Sequence, residues 1–144
     1  MKRSSSAVRS NVARVREGIA AWNSREWQTT LDYFDREIEW HTSGAIPGLD
    51  DVYYGHAGVT RFWRTWVETW EDIRIDIEEL LERGDDVFVL ARFRARGRDG
   101  LEVDQPVGLR FTSSRETELV TRVQAYWSRS DMPMDARMSE RRHR

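Results

Sequence analysis

One domain is all that 144 residues comfortably hold, and a formal net charge of −2 gives no global attraction to nucleic acid or an anionic membrane. The absence of cysteine excludes disulfides, thiol nucleophiles and thiolate metal sites, and it fits a reducing compartment. Charged residues at 33% beside aromatics at 11% describe a globular protein whose core leans on rings.

Residues 1–6 read as a polar, flexible tail. Val8, Val12, Val15, Ile19 and Trp22 then recur at spacings of three and four, which predicts a helix over 7–22. Asn23 and Ser24 stop it. Asn23, with Glu26 three residues on, forms a capping-box pattern for a second helix whose stripe is Trp27, Leu31 and Phe34. A short strand is expected over 37–42, followed by a loop over 43–54 holding Gly44, Pro47 and Gly48. Val59, Phe62, Trp63, Trp66 and Trp70 share one side of a third helix over 57–70, with His56 at its N-cap. Ile73, Ile75 and Ile77 then switch at once to a period of two. Four strands, over 73–82, 87–97, 102–112 and 119–128, are separated by Gly84-Asp85-Asp86, by the hairpin-type Asp99-Gly100 and by a third turn. They make an antiparallel meander. From 131 onward, Pro133 and a run of arginines predict a second flexible tail.

Alternation assigns the faces of this sheet. Val87, Val89, Ala91, Phe93 and Ala95 form an apolar row, whereas the opposite row starts with Phe88 and Leu90 and turns to Arg92, Arg94 and Arg96. Val103, Gln105, Val107, Leu109 and Phe111 share a face, with Asp104, Gly108 and Arg110 on the other. Helices are expected over the concave side and a second copy of the chain over part of the convex side, giving a homodimer. A helix that leads straight into a long sheet implies a curved sheet enclosing a pocket. Trp40, Tyr54, Trp63, Trp66, Phe93, Val107, Tyr126 and Trp127 are its expected wall, a lining suited to a small apolar molecule.

The order of two helices, a short strand, a loop, a third helix and four long strands resembles the nuclear transport factor 2-like superfamily, and within it the SnoaL-like and steroid Δ-isomerase-like proteins. Three local matches carry the resemblance. Tyr54-Gly55-His56-Ala57-Gly58-Val59, with Arg61-Phe62-Trp63 after it, looks like the opening of the third helix there. Gly84-Asp85-Asp86-Val87 looks like the first hairpin, and Gln124-Ala125-Tyr126-Trp127-Ser128 is similar to the last strand of bacterial steroid isomerases. The implied fold is α+β, a cone-shaped barrel with three helices packed on a curved mixed or antiparallel sheet over about 7–130. This architecture hosts isomerases, cyclases, hydrolases and pure binding modules.

In the steroid isomerases the base is an aspartate ending the first strand, and the resemblance places His41 at that position. An imidazole titrates near neutrality and can serve as acid or base. Glu17 or Gly18 falls at the isomerase tyrosine position and Val107 at its second aspartate, so the oxyanion hole of those enzymes has no counterpart. SnoaL-like cyclases resemble this chain more in needing one acid/base group in an apolar cavity. His41 is the first candidate for that group and Asp104 the second, although alternation points Asp104 away from the cavity. Arg92 and Asp104 imitate part of the Asp-Arg-Asp set of epoxide hydrolases on this fold, again from the convex side. Against these stand plainer roles: His41 closing a strand beside Glu39 or Tyr54, the tryptophans as core, and the whole as a non-catalytic binding or dimerisation module whose cavity is filled. No cofactor is implied, and His41 and His56 lack metal-ligand spacing. The opening Met-Lys-Arg-Ser-Ser-Ser lacks an apolar stretch, and the run at 87–91 is far below the ~20 residues of a membrane span, so the expected location is cytoplasmic.

Overall fold

A computed structural model describes residues 10–42, 44 and 48–133; the expected tail at 1–6 and most of the expected tail from 131 lie outside the described residues. The helices are α1 (Asn11–Asn23), α2 (Trp27–Leu31) and α3 (Gly55–Thr69). The strands are β1 (Phe34–His41), β2 (Val52–Tyr54), β3 (Trp70–Arg83), β4 (Asp86–Gly97), β5 (Glu102–Ser113) and β6 (Val120–Tyr126), followed by a short 3₁₀ turn at Arg129–Asp131. They form one sheet in the order β2-β1-β6-β5-β4-β3, in which β1 runs parallel to β6 and the other neighbours are antiparallel. The fold is the α+β architecture expected from the sequence, with β2 and β3 as the two edges of a sheet that stays open.

The helices cover one face. Val15, Ile19 and Trp22 of α1 and Val59, Phe62 and Trp63 of α3 pack onto Ile38, Ile73, Val89, Ala91, Phe93, Val107 and Val123 of the strands in one buried cluster. Helix α3 feeds β3 with no linker, because Trp70 is both the C-cap of the helix and the first residue of the strand. In β3 the period of two holds from Ile73 to Ile77 and then slips, since Ile77 pairs with Ala91 but Glu79 with Leu90. That bulge lets Leu80 pack into the main core while Leu81 turns to the convex face.

Two capping expectations are corrected. Asn23 does not cap α2, whose N-cap is Glu26 without a side-chain hydrogen bond; Asn23 remains in α1. Its amide acts instead as a piece of strand. Nδ2 donates to the Ile75 carbonyl at 2.8 Å and Oδ1 accepts from the Ile75 N–H at 2.9 Å. Arg25, at φ +65°, reaches back with its guanidinium to the Trp22 and Asn23 carbonyls at the end of α1, and across to that of Ile73. His56 is likewise not the N-cap of α3, a place held by Tyr54; its Nε2 meets the Phe34 carbonyl at 3.0 Å and ties the helix to β1.

The convex face carries its own small apolar cluster of Phe88, Leu90 and Met132, with Leu81 and Tyr126 against it. Met132, in the segment read from sequence as flexible, is 2% exposed and occupies the space above Gly108 where a Cβ would stand. The chain thus covers part of that face with its own residue.

Replacing Asn23 by alanine removes both hydrogen bonds that fix α1 on β3 and leaves the Ile75 amide unpaired. The expected loss is about 2–3 kcal/mol, read as a lower midpoint in urea with an unchanged slope.

Candidate functional site

Between the helices and the inner face of the sheet lies a cavity of about 130 Å³. Helix α1 contributes Val15, Gly18, Ile19 and Trp22, while α3 contributes Phe62, Trp63 and Trp66. The sheet side supplies Phe34, Trp40, Phe93, Val107 and Ala125, with Trp127 just beyond β6. A Cβ at Gly18 would meet Tyr33 and Thr30 at 3.7 and 4.0 Å, ordinary contact distances, so α1 lies close to both side chains there.

Ring against ring holds this wall in shape. Trp66 lies 5.5 Å from Phe93 and edge-on to Trp70 and Trp127, with centroids at 5.7 and 6.4 Å. Trp40 stands edge-on to Trp63 at 6.0 Å and lies 5.6 Å from Phe62. Such contacts add about 0.5–1.5 kcal/mol each beyond area burial. The rings thus frame a lining that is almost wholly apolar.

Polar groups at the wall are few. Tyr33 donates its hydroxyl to Glu17 at 2.6 Å, Thr30 to the Gly18 carbonyl at 2.8 Å and Thr42 to that of Asp50 at 2.8 Å. The indole N–H groups of Trp22, Trp40 and Trp63 are buried with no acceptor, a cost of about 1–3 kcal/mol apiece. Arg14, with its side chain 14% exposed, is the one charged residue among the described residues lining the cavity.

Of the residues expected to form the pocket, Trp40, Trp63, Trp66, Phe93, Val107, Tyr126 and Trp127 line it. Tyr54 does not; it is 65% exposed, and its neighbour Tyr53 is the buried one, packed on Phe62 at 4.9 Å. His41 is not in the wall either. In β1 the apolar residues Ile38 and Trp40, two apart, take the inner face, so Glu39 and His41 fall on the outer one. There His41 Nε2 lies 3.0 Å from Glu39 Oε1, and β6 presents Gln124 opposite His41. Pocket residues that the sequence reading passed over are Arg14, Gly18 and Trp22 of α1, and Tyr33. Arg14, Gly18 and Trp22 form a single helical row at i, i+4 and i+8, which is the signal that would have found them.

Asp104 is also outside the cavity, as alternation required. Its Oδ1 accepts from Arg92 Nε at 2.7 Å on the convex face. Arg92 also lies 3.6 Å from Glu78, Glu78 receives Arg129, and Arg94 joins Asp76 at 3.1 Å. Arg129 further donates to the Val107 and Ala91 carbonyls, so this charge ladder is stitched to the sheet backbone. The hydrogen bond from Arg92 holds Asp104 below the usual carboxylate range, and that from Arg129 does the same for Glu78. Among the described residues no group of three histidine, cysteine, aspartate or glutamate side chains could hold a metal, and no helix is long and apolar enough to cross a membrane.

The family model for the SnoaL-like domain matches residues 15–127. Comparison with curated proteins finds no match. Among solved structures, TerC co-crystallised with polyporic acid superposes with a TM-score of 0.76 at 20% identity, covering 83% of this chain and 92% of TerC. A nuclear transport factor 2-like protein of Burkholderia pseudomallei follows at a TM-score of 0.75 and 21% identity, covering 85% and 93%. A protein of Catenulispora acidiphila with a ketosteroid isomerase-like fold, in complex with trimethylamine, gives 0.69 at 16% identity, covering 80% and 85%. At these identities the likeness is one of fold.

Asp104 and Glu78, both held low by their arginines, stabilise the folded chain fully above the ordinary carboxylate range and lose that contribution as pH falls through their lower folded values. Denaturation midpoints should therefore drop between about pH 5 and about pH 2, and the Asp104→Asn/Glu78→Gln double variant should show a shallower drop.

Proposed function

The chain belongs to the SnoaL-like domain family, and we propose that it works by holding a small, flat, largely apolar molecule in its tryptophan-walled cavity. The observation that carries this reading is an apolar cavity walled by the rings of Trp22, Trp40, Trp63, Trp66 and Trp127. An apolar cavity of roughly 150 Å³ is enough to bind benzene. A volume of about 130 Å³ therefore accepts a single ring as it stands, and a larger cyclic molecule requires the indoles to swing. The use of this fold by TerC with polyporic acid, and by the Catenulispora protein with trimethylamine, supports a small-molecule ligand.

A proton-transfer step on the bound molecule is the second part of the reading, favoured by one observation. Tyr33 lines the cavity and is hydrogen-bonded at 2.6 Å to a carboxylate, that of Glu17. His41, on the other face of β1, is left in a structural role with Glu39.

Binding is tested with toluene on protein carrying ¹⁵N-labelled tryptophan. The resonances of the wall indoles should shift on titration. Val107→Phe, which pushes a ring into the void, should abolish the shifts while the protein stays folded, and His41→Ala should leave the affinity within about twofold. Absence of any indole shift in the unaltered protein would sink the reading.

A further inference from the structure

We propose that Trp127 is the movable side of the cavity, and that the segment 128–132 is the latch that holds it closed and so sets which molecules enter. The inference rests on the small-molecule reading of the same cavity and names the residue that governs ligand size and exchange.

Five tryptophans stand in the wall among the described residues, and four of them belong to regular elements: Trp22 to α1, Trp40 to β1, Trp63 and Trp66 to α3. Trp127 comes directly after the end of β6, whose last pairing with β5 is Tyr126 on Gly108. Its ring is nonetheless set among other wall residues, 5.3 Å from Phe93 and 6.4 Å from Trp66, and the residue is half-buried. Trp63 makes the contrast: it is 1% exposed and meets the rings of Trp27, Phe34 and Trp40. A half-buried ring carried by chain beyond the sheet ladder swings more easily than one boxed in on a helix.

What holds this ring lies largely on the other face of the sheet. Gln105 Nε2 donates to the Trp127 carbonyl at 3.1 Å. Two residues on, the Arg129 guanidinium spans three strands. It donates to the carbonyls of Val107 in β5 at 3.3 Å and Ala91 in β4 at 2.7 Å, and it pairs with Glu78 in β3. The turn at Arg129–Asp131 is closed by Ser128, whose hydroxyl accepts from the Ser130 N–H and whose carbonyl accepts from that of Asp131. Met132 ends the run, 2% exposed, in the convex cluster with Phe88 and Leu90. Its seat exists because residue 108 is glycine: a Cβ there would overlap the thioether. Strand β5 at Val107-Gly108 thus has the cavity on one side and the latch on the other. Segments of this kind open and close over sites in microseconds to milliseconds.

Gly108→Ala tests the latch, because the added methyl meets the flexible end of Met132 first and displaces it; Met132→Ala empties the same seat from the other side. On protein carrying ¹⁵N-labelled tryptophan and no ligand, relaxation dispersion should show the Trp127 indole in exchange while that of Trp63 stays quiet, and both variants should enlarge the effect. Toluene should then enter and leave about tenfold faster in both variants, with its Kd changed by less than about twofold. A latch raises both rates, whereas a lost wall contact raises only the second. Trp127→Leu should shift the preference between naphthalene and toluene about tenfold towards naphthalene. Unaltered exchange in Gly108→Ala and Met132→Ala overturns the proposal even if Trp127→Leu does not fold, as does a naphthalene-to-toluene ratio that Trp127→Leu leaves where it was. Failure of toluene to bind strikes the small-molecule reading, and the ligand-free dispersion still decides whether Trp127 moves with the latch.

Discussion

Beside the packing of Val15, Ile19 and Trp22, one side-chain amide pins helix α1 to the sheet. Asn23 pairs with both backbone groups of Ile75, 52 positions away, as a neighbouring strand would. The same helix gives the cavity Arg14, Val15, Gly18, Ile19 and Trp22, so the clamp at its end determines how far that wall stands from the sheet. A slide of α1 by one turn would move its row of wall residues by about 5.4 Å. The two amide bonds make such a slide expensive, and the Arg25 guanidinium on the Ile73 carbonyl adds to that cost.

The interior trades stability for space. Large indoles bury much apolar area, but their N–H groups have to be placed somewhere, and five of them, on Trp22, Trp27, Trp40, Trp63 and Trp70, are buried without an acceptor. Aliphatic residues would have avoided this penalty and closed the void. Rigid rings meeting edge to face do the opposite: they span a hollow without filling it. The outer face follows another rule, with its carboxylates and arginines matched in pairs and its apolar patch covered by Met132.

Much of this was legible in the sequence because it depends on short periods. Trp63 and Trp66 at helical spacing, and Phe93 and Val107 in strand alternation, pointed inward by local geometry, and they line the cavity. His41, which the resemblance puts at the base position, lies outside the cavity because β1 keeps its own alternation. Ile38 and Trp40 are two apart, and a strand can give the core only one parity. Asn23 was misread for another reason. Its residue type suits a cap, and nothing local reveals a partner on a strand distant in sequence. The slip near Glu78 that separates Leu80 from Leu81 was equally invisible, since a bulge is set by the opposing strand and not by the bulged one.

The parallel pairing of β1 with β6 has a consequence for how the protein is made. Strand β6 slots between β1 and β5 although four strands lie between it and β1 in the chain, so the sheet acquires its centre only once Val120–Tyr126 has been made. Until then Trp40, Trp63 and Trp66 lack part of their cover, and a nascent or truncated chain displays sticky indoles and no enclosed hollow. Non-local pairing of this kind also slows folding, because the long loop must close before its contacts are repaid. The wall of the cavity is therefore complete only once Val120–Tyr126 is in place, and a chain cut short before that strand lacks it.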